Sequence, residues 1–356
     1  MKKRLLLLSF FAAAATFTAS AQDAPKADPP LVIFGSVDTY YKNDFSGFKN
    51  ASGSSNIGTS FASDQNSISI GMIDLGLKKK VGKAAFVGEM SFGPRGQAQS
   101  IPNAAGVYDE GTNSYHIQNL YVSYDLSDKF TMTAGYMATF VGYEVISPVG
   151  NFNYSTSYLF TNGPFQNAGL KGTYTFSDKA SLMAGIFNDG WNSYTSTNDV
   201  STFGAQLFLS PAKGWTAYIN LVSGSYSGTE VDLTTAYQVT DAFKLGVNAA
   251  TYSAPHSGGG FSGVALYPQV AASSSVTFGL RAEYFKTKAG ALAPLSGPAP
   301  GSSVTAFTLT SNIKAGPLTF IPEVRLDHMK DDFFVNKDLM PSKSASQFVL
   351  AAVYAF

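Results

Sequence analysis

The gaps between strand-like segments in this 356-residue chain sort by parity. Segments that alternate apolar with small or polar residues have the period of a strand with two unlike faces. They fall at 31–42, 66–79, 83–93, 114–125, 129–140, 165–176, 179–190, 200–210, 214–225, 229–240, 243–254, 261–271, 275–288, 302–314, 317–328 and 345–356. Every second gap is tight: Lys80-Val81-Gly82, Leu126-Ser127-Asp128, Ser177-Asp178, Pro211-Ala212-Lys213, Asp241-Ala242, Ala272-Ser273-Ser274 and Ala315-Gly316. The gaps in between are mostly long: 43–65, 94–113, 141–164, 191–199, 255–260, 289–301 and 329–344, with 226–228 the one short member. A soluble sandwich has no reason to sort its loops in this way. A barrel threaded through an outer membrane does, with short periplasmic turns and long outer loops.

Most of these segments approach the roughly 9–11 residues that a tilted strand needs to cross a bilayer. About sixteen of them is an even number, which puts both chain ends on one side. An open sheet edge in lipid would leave backbone groups unpaired at several kcal/mol each. The first strand is therefore expected beside the last. The expected fold class is all-β: a single closed antiparallel transmembrane β-barrel of about sixteen strands over 31–356.

The faces of the wall can be read from charge. Segment 317–328 puts Leu318, Phe320, Pro322, Val324 and Leu326 on one side and Thr319, Ile321, Glu323, Arg325 and Asp327 on the other. Segment 275–288 sets Val276, Phe278, Leu280, Ala282 and Tyr284 against Thr277, Gly279, Arg281, Glu283 and Phe285. A charge at the bilayer midplane on the lipid side costs roughly 2–4 kcal/mol, so the charged face is the lumen. The expected pore-lining charges are Asp74, Glu89, Lys171, Lys244, Arg281, Glu283, Glu323, Arg325 and Asp327. Both signs occur, which implies weak ionic selectivity. Arg281 with Glu283, and Glu323 with Arg325, are spaced to pair on one face.

Composition supports a membrane wall. Aromatics make up 14 % and charged residues 13 %, the latter about half of what a soluble domain carries. Tyrosine and phenylalanine near strand ends would form the interfacial girdles. There is no cysteine, which removes disulfides and thiolate metal sites. Lys2, Lys3 and Arg4, the apolar run 5–15 and Ala19-Ser20-Ala21 read as a secretory leader over 1–21, followed by a short periplasmic segment over 22–30. Without the three leader cations, 21 basic residues face 24 acidic ones. No basic run suggests nucleic acid. The expected location is the outer membrane of a Gram-negative bacterium, in lipid and lipopolysaccharide. Phe348, Leu350, Ala352, Tyr354 and Phe356 share the lipid face of the last segment. An aromatic at the end of such a strand resembles the signal read by barrel-insertion machinery, which assigns that role to Tyr354 and Phe356.

The third long gap, 141–164, carries Phe152, Tyr154, Tyr158, Leu159 and Phe160 and is not disorder-like in composition. Loops this long are usually functional or disordered. Folded into the lumen it would narrow the pore, with Tyr143, Glu144, Tyr154 and Tyr158 at the constriction. The alternative is a cap over the rim.

Enzyme chemistry has little to stand on. His116, His256 and His328 are scattered, and no nucleophile elbow, phosphate loop or zinc-protease motif is present. No metal or cofactor is implied. A channel for small hydrophilic solutes is the expected function. A sugar- or carboxylate-specific channel is the alternative, for which Tyr218, Tyr252 and Phe285 fall on the lumen face, or a barrel anchor or adhesin that transports nothing. Porins of this size are often trimers, so a homotrimer is a candidate assembly.

Residues 130–191 also carry a family resemblance. Gly135, Thr139, Gly142 and Glu144 are followed by Asn153-Tyr154-Ser155, by Pro164 with Gly169, and by Asn188-Asp189-Gly190-Trp191. Arg281-Ala282-Glu283-Tyr284 lies further on. The chain resembles the OmpL-like β-barrel porins. It departs from them at Asp189, which interrupts an Asn-Gly-Trp pattern, and at Asn167-Ala168, where the family often has His-Thr. The resemblance implies a diffusion channel and defines no solute.

Overall fold

The computed structural model describes residues 28–48, 53–95, 116–189, 194–196, 198–290 and 296–356. The leader expected over 1–21, and most of the segment expected over 22–30, lie outside them, as does most of the second long gap.

Sixteen strands close into one antiparallel barrel. In chain order they are β1 (Val32–Asp44), β2 (Ile68–Val81), β3 (Ala84–Phe92), β4 (Ile117–Ser127), β5 (Phe130–Ala138), β6 (Gln166–Ser177), β7 (Ala180–Phe187) and β8 (Thr202–Leu209). Then follow β9 (Trp215–Gly224), β10 (Gly228–Gln238), β11 (Phe243–Ser253), β12 (Gly260–Ala271), β13 (Val276–Lys288), β14 (Ser303–Ala315), β15 (Leu318–Met329) and β18 (Ser344–Ala355). Two short strands in the last long loop, β16 (Phe334–Val335) and β17 (Pro341–Ser342), pair only with each other. All sixteen segments expected from the sequence are strands of the wall.

Closure is made where the sequence required it. β1 pairs with β18 from Ser36 opposite Ala355 to Asp44 opposite Gln347. The terminal residue extends that seam: Gly35 N–H donates to the Phe356 carbonyl at 3.1 Å, and Phe356 N–H donates back at 3.0 Å. The seam leaves no unpaired edge in lipid.

The period of two sets the faces. On β15, Phe320, Val324 and Leu326 are exposed to the outside, while Glu323, Arg325 and Asp327 are buried on the lumen side. On β18, Leu350 and Tyr354 face out while Val349, Ala351 and Val353 face in. A soluble protein would hide these aliphatic side chains; here they meet acyl chains. Among the described residues no helix is long and apolar enough to cross a membrane, so the strands do the crossing.

The long gap after β5 departs from the wall early. The strand ends at Ala138, two residues short of the expected end, with one last backbone bond from Thr139 N–H to the Phe165 carbonyl at 3.0 Å. The Phe140 ring turns in to lie 5.7 Å from that of Phe187. From there the chain crosses the lumen and returns to the wall at Gln166.

Candidate functional site

The inward loop, 139–165, carries a 3₁₀ turn at Pro148–Gly150 and a short α-helix, α1 (Tyr158–Asn162). Ser157 caps it: its Oγ accepts from Phe160 N–H at 3.0 Å. The first amides of a helix have no intrahelical partner and need an acceptor. Glu283 on β13 provides it, accepting from Tyr158 N–H at 3.0 Å and Leu159 N–H at 2.8 Å.

The same device recurs along the wall. Glu323 on β15 accepts from Tyr154 N–H at 3.0 Å, from Ser155 N–H at 3.2 Å, and from the hydroxyls of Ser155 and Thr310. Asp232 on β10 accepts from Gly142 N–H at 3.1 Å. Asp327 accepts from the Tyr158 hydroxyl at 2.7 Å, and Asp38 on β1 accepts from the Tyr154 hydroxyl at 2.5 Å. Burial holds both tyrosine hydroxyls well above their ordinary pKa, so they remain donors. Carboxylates accepting several N–H and O–H groups make strong, charge-assisted bonds.

Two arginines serve the loop's carbonyls. Arg281 donates to Glu144 at 2.8 Å, to the Ser155 carbonyl at 2.6 Å, to the Thr156 carbonyl at 3.3 Å and to the Thr308 hydroxyl at 3.1 Å. Arg325 grips Asp327 in a two-point pair at 2.7 and 2.9 Å and donates to the Thr156 carbonyl at 2.8 Å. Its guanidinium lies 5.1 Å from the centre of the Tyr158 ring. Glu144, reached by Arg281 and by the Tyr267 hydroxyl on one oxygen, accepts Ser157 N–H at 2.7 Å on the other.

The wall is also shaped to seat the loop. Gly279 on β13 faces the lumen, and a Cβ there would stand 2.3 Å from the Phe152 ring. At Gly246 on β11 it would stand 2.2 Å from the Tyr143 hydroxyl. The missing side chains are the space the loop occupies.

These contacts revise the reading of the lumen charges. Arg281, Glu283, Glu323, Arg325 and Asp327 do face inward, yet none is more than 2 % exposed, because the loop covers them. They do not line open space. Neither expected pairing forms: Arg281 pairs with Glu144 across the lumen, and Arg325 with Asp327. Asp74 is buried with Ser91 as its donor at 3.3 Å. Glu89, accepting from Asn119 at 2.5 Å, borders a cavity of about 220 Å³ on the β2–β6 side of the loop. Lys171 is half-buried on the lumen face.

Of the four expected constriction residues, two border open space. Tyr143 and Glu144 line a lumenal cavity of about 640 Å³ that also touches Lys244, Gln269, Thr277, Asn312, Lys314 and Thr319. Tyr143 stacks on Tyr267 with ring centres 4.4 Å apart. Tyr154 and Tyr158 are each 1 % exposed and fix the loop to the wall instead. Nor do the aromatics form a free stacking track. Phe285 is fully buried against Phe261 and Tyr252 donates to the Ser227 carbonyl, while Tyr218 borders a cavity of about 440 Å³.

Several groups escaped sequence reasoning. Arg95, in the second long gap, is buried with its guanidinium 4.4 Å from the Phe61 ring and 4.8 Å from the Tyr154 ring. Nothing in its polar surroundings marks it. Lys314 was legible: it continues the inward phase of Thr308, Thr310 and Asn312 on β14. Lys42, on the inward face of β1, donates to the carbonyls of Ile57 and Ala62 and so ties down the first long loop.

No curated protein matches the chain. Solved structures do. The outer membrane channel DcaP of Acinetobacter baumannii superposes with a TM-score of 0.62 at 14 % identity, over 92 % of this chain and 97 % of that one. The anion-selective porin from Comamonas acidovorans gives 0.61 at 15 %, over 92 % and 99 %. OmpT of Vibrio cholerae in its trimer form gives 0.55 at 12 %, over 92 % and 99 %. At these identities the likeness shows the fold. The model of the family described as "Putative beta-barrel porin-2, OmpL-like" matches residues 30–356. With a closed sixteen-strand barrel and outer-membrane porins as structural neighbours, the chain is thereby a member of that porin family, at home in the Gram-negative outer membrane.

Proposed function

We propose that this porin is a general diffusion channel for small hydrophilic solutes, and that the inward loop sets its aperture. The observation that carries this reading is the loop's path across the lumen, pinned to β1, β10, β13 and β15 by carboxylates and arginines. A sixteen-strand barrel without such a segment is a wide water-filled tube. With it, solutes pass the side of the lumen that the loop leaves free, bordered by Tyr143 and Glu144. Selectivity by size then follows from the fixed position of the loop rather than from a dedicated binding pocket.

Liposome swelling tests this directly. Proteoliposomes should swell with small neutral sugars at rates that fall steeply as the sugar grows. Uniform rates across sizes would reject an aperture set by the loop, and no swelling with any solute would favour an anchor.

Tyr354 and Phe356 are proposed as the insertion signal. Both face lipid, and Phe356 closes the seam with Gly35. Deleting Phe356 is expected to reduce heat-modifiable barrel in outer membranes several-fold. An unchanged amount would remove the assignment. A homotrimer is the assembly we propose to look for, on the analogy of the trimer form of the Vibrio protein.

A further inference from the structure

Most lumenal charges of this fold are engaged, the bases Lys42, Arg281 and Arg325 among them. The inward carboxylates of Asp38, Asp74, Glu89, Asp232, Glu283, Glu323 and Asp327 all accept hydrogen bonds from side chains or backbone amides. Glu230 is 4 % exposed at the outer end of β10. By contrast Lys244 and Lys314 have no hydrogen-bond or ion-pair partner among the described residues, and both line the 640 Å³ cavity. They stand at the short-turn ends of β11 and β14.

The register fixes how these two cations are placed. Lys244 lies opposite Gln269 on β12, Thr277 on β13 lies opposite Asn312, and Lys314 lies opposite Thr319. The wall between the lysines is thus polar and uncharged. Three interstrand spacings separate them sideways, and because the rung of Lys244 runs through Gln269 and Gly279 to Thr310, they are also four residues apart along the strands, on the order of 20 Å along the wall. The one acid bordering this cavity is Glu144, and its charge is compensated by Arg281 at 2.8 Å. The turns at this mouth carry both signs, with Asp128 beside Lys129 and Asp178 beside Lys179, and a surplus of lysine at the β2–β3 turn, where Lys80 pairs with Asp125; that cluster lies on the other side of the mouth from β11–β14.

We propose that the channel prefers anions, and that Lys244 and Lys314 are the residues that set this preference; the inference rests on the diffusion-channel reading above. The class of solute favoured is small carboxylates, phosphates and inorganic anions. Charges lining a narrow aqueous path decide which ions enter it. At physiological salt the screening length is about 8 Å, so each lysine acts on an anion as it passes close by, and the preference should fade as salt rises.

The experiment is reversal-potential measurement on the full-length protein in planar bilayers under a potassium chloride gradient. At about 0.1 M salt, where the screening length is about 10 Å, chloride should permeate several-fold faster than potassium, with the ratio falling toward unity near molar salt. Lys244→Gln with Lys314→Gln should bring the low-salt ratio close to one, and Lys244→Glu with Lys314→Glu should invert it. Lys286→Gln, which alters an outward-facing residue on β13, should change nothing. A native ratio at or below one, or a ratio unmoved in the double variants, overturns the proposal while leaving the diffusion channel intact. Absence of ion steps from folded barrel overturns the channel reading itself.

Discussion

Deleting residues 147–160 is expected to raise single-channel conductance several-fold while leaving a folded barrel. Residues 147–160 add no rung to the wall's hydrogen-bond ladders, which close through the β1–β18 seam without them. What they occupy is lumen. A sixteen-strand barrel freed of them reverts to a broad aqueous tube. The charges they cover, among them Arg281, Glu283, Glu323 and Arg325, would then meet water rather than being stranded in a dry interior. That is why the deletion should be tolerated. Planar-bilayer recording of native and deleted protein in the same salt decides the matter, and equal conductance would reject the role assigned to the loop.

Arg281→Ala should have the second large effect, and a different one. It leaves the loop in the lumen but removes the donor that serves Glu144 and the Ser155 and Thr156 carbonyls. Removing one partner of a buried ion pair costs about 3–5 kcal/mol, chiefly because the other charge is left uncompensated. Here that charge is Glu144, which keeps only Tyr267 and Ser157. The strain falls on the loop, since the ladder bonds of β13 to β12 and β14 are backbone bonds and stay. The expected result is a noisier open channel and protease cleavage within the loop, with the barrel's heat stability little altered. Adding Glu144→Gln to Arg281→Ala should recover part of the quiet behaviour, because the stranded charge is gone. A single variant as quiet and as protease-resistant as the native protein would show that the pair does not hold the loop.

The wall was almost fully legible. All sixteen segments were found, to within a few residues, because a strand crossing a bilayer must alternate and must have a minimum length. The phase of each face was equally readable: Arg325 and Leu326 are neighbours in sequence and face opposite media in the barrel. Where strand ends were missed, another constraint intervened. β5 stops at Ala138 rather than continuing to Phe140 because the chain turns into the lumen there, with Phe140 packing on Phe187.

The site was legible only in part. The sequence pointed to the third outer gap and to Glu144, and both occupy the lumen. It assigned Arg281, Glu283, Glu323, Arg325 and Asp327 to the pore lining, and Tyr154 and Tyr158 to the constriction, where they hold the loop to the wall instead. Periodicity says which face a residue is on. It does not say whether another segment will lie across that face.

By itself the sequence determined a closed, lipid-facing barrel with its long loops on one side. Those features follow from local periodicity and from a solvent that tolerates no unpaired backbone group. The tertiary structure alone decided which lumenal charges remain free. The amides of Tyr158 and Leu159, the carbonyl of Thr156 and the hydroxyl of Tyr154 come from one distant loop, and they claim Glu283, Arg325 and Asp38 before any solute can. Lys244 and Lys314 are left over because the loop passes above them, leaving open space at their end of the barrel.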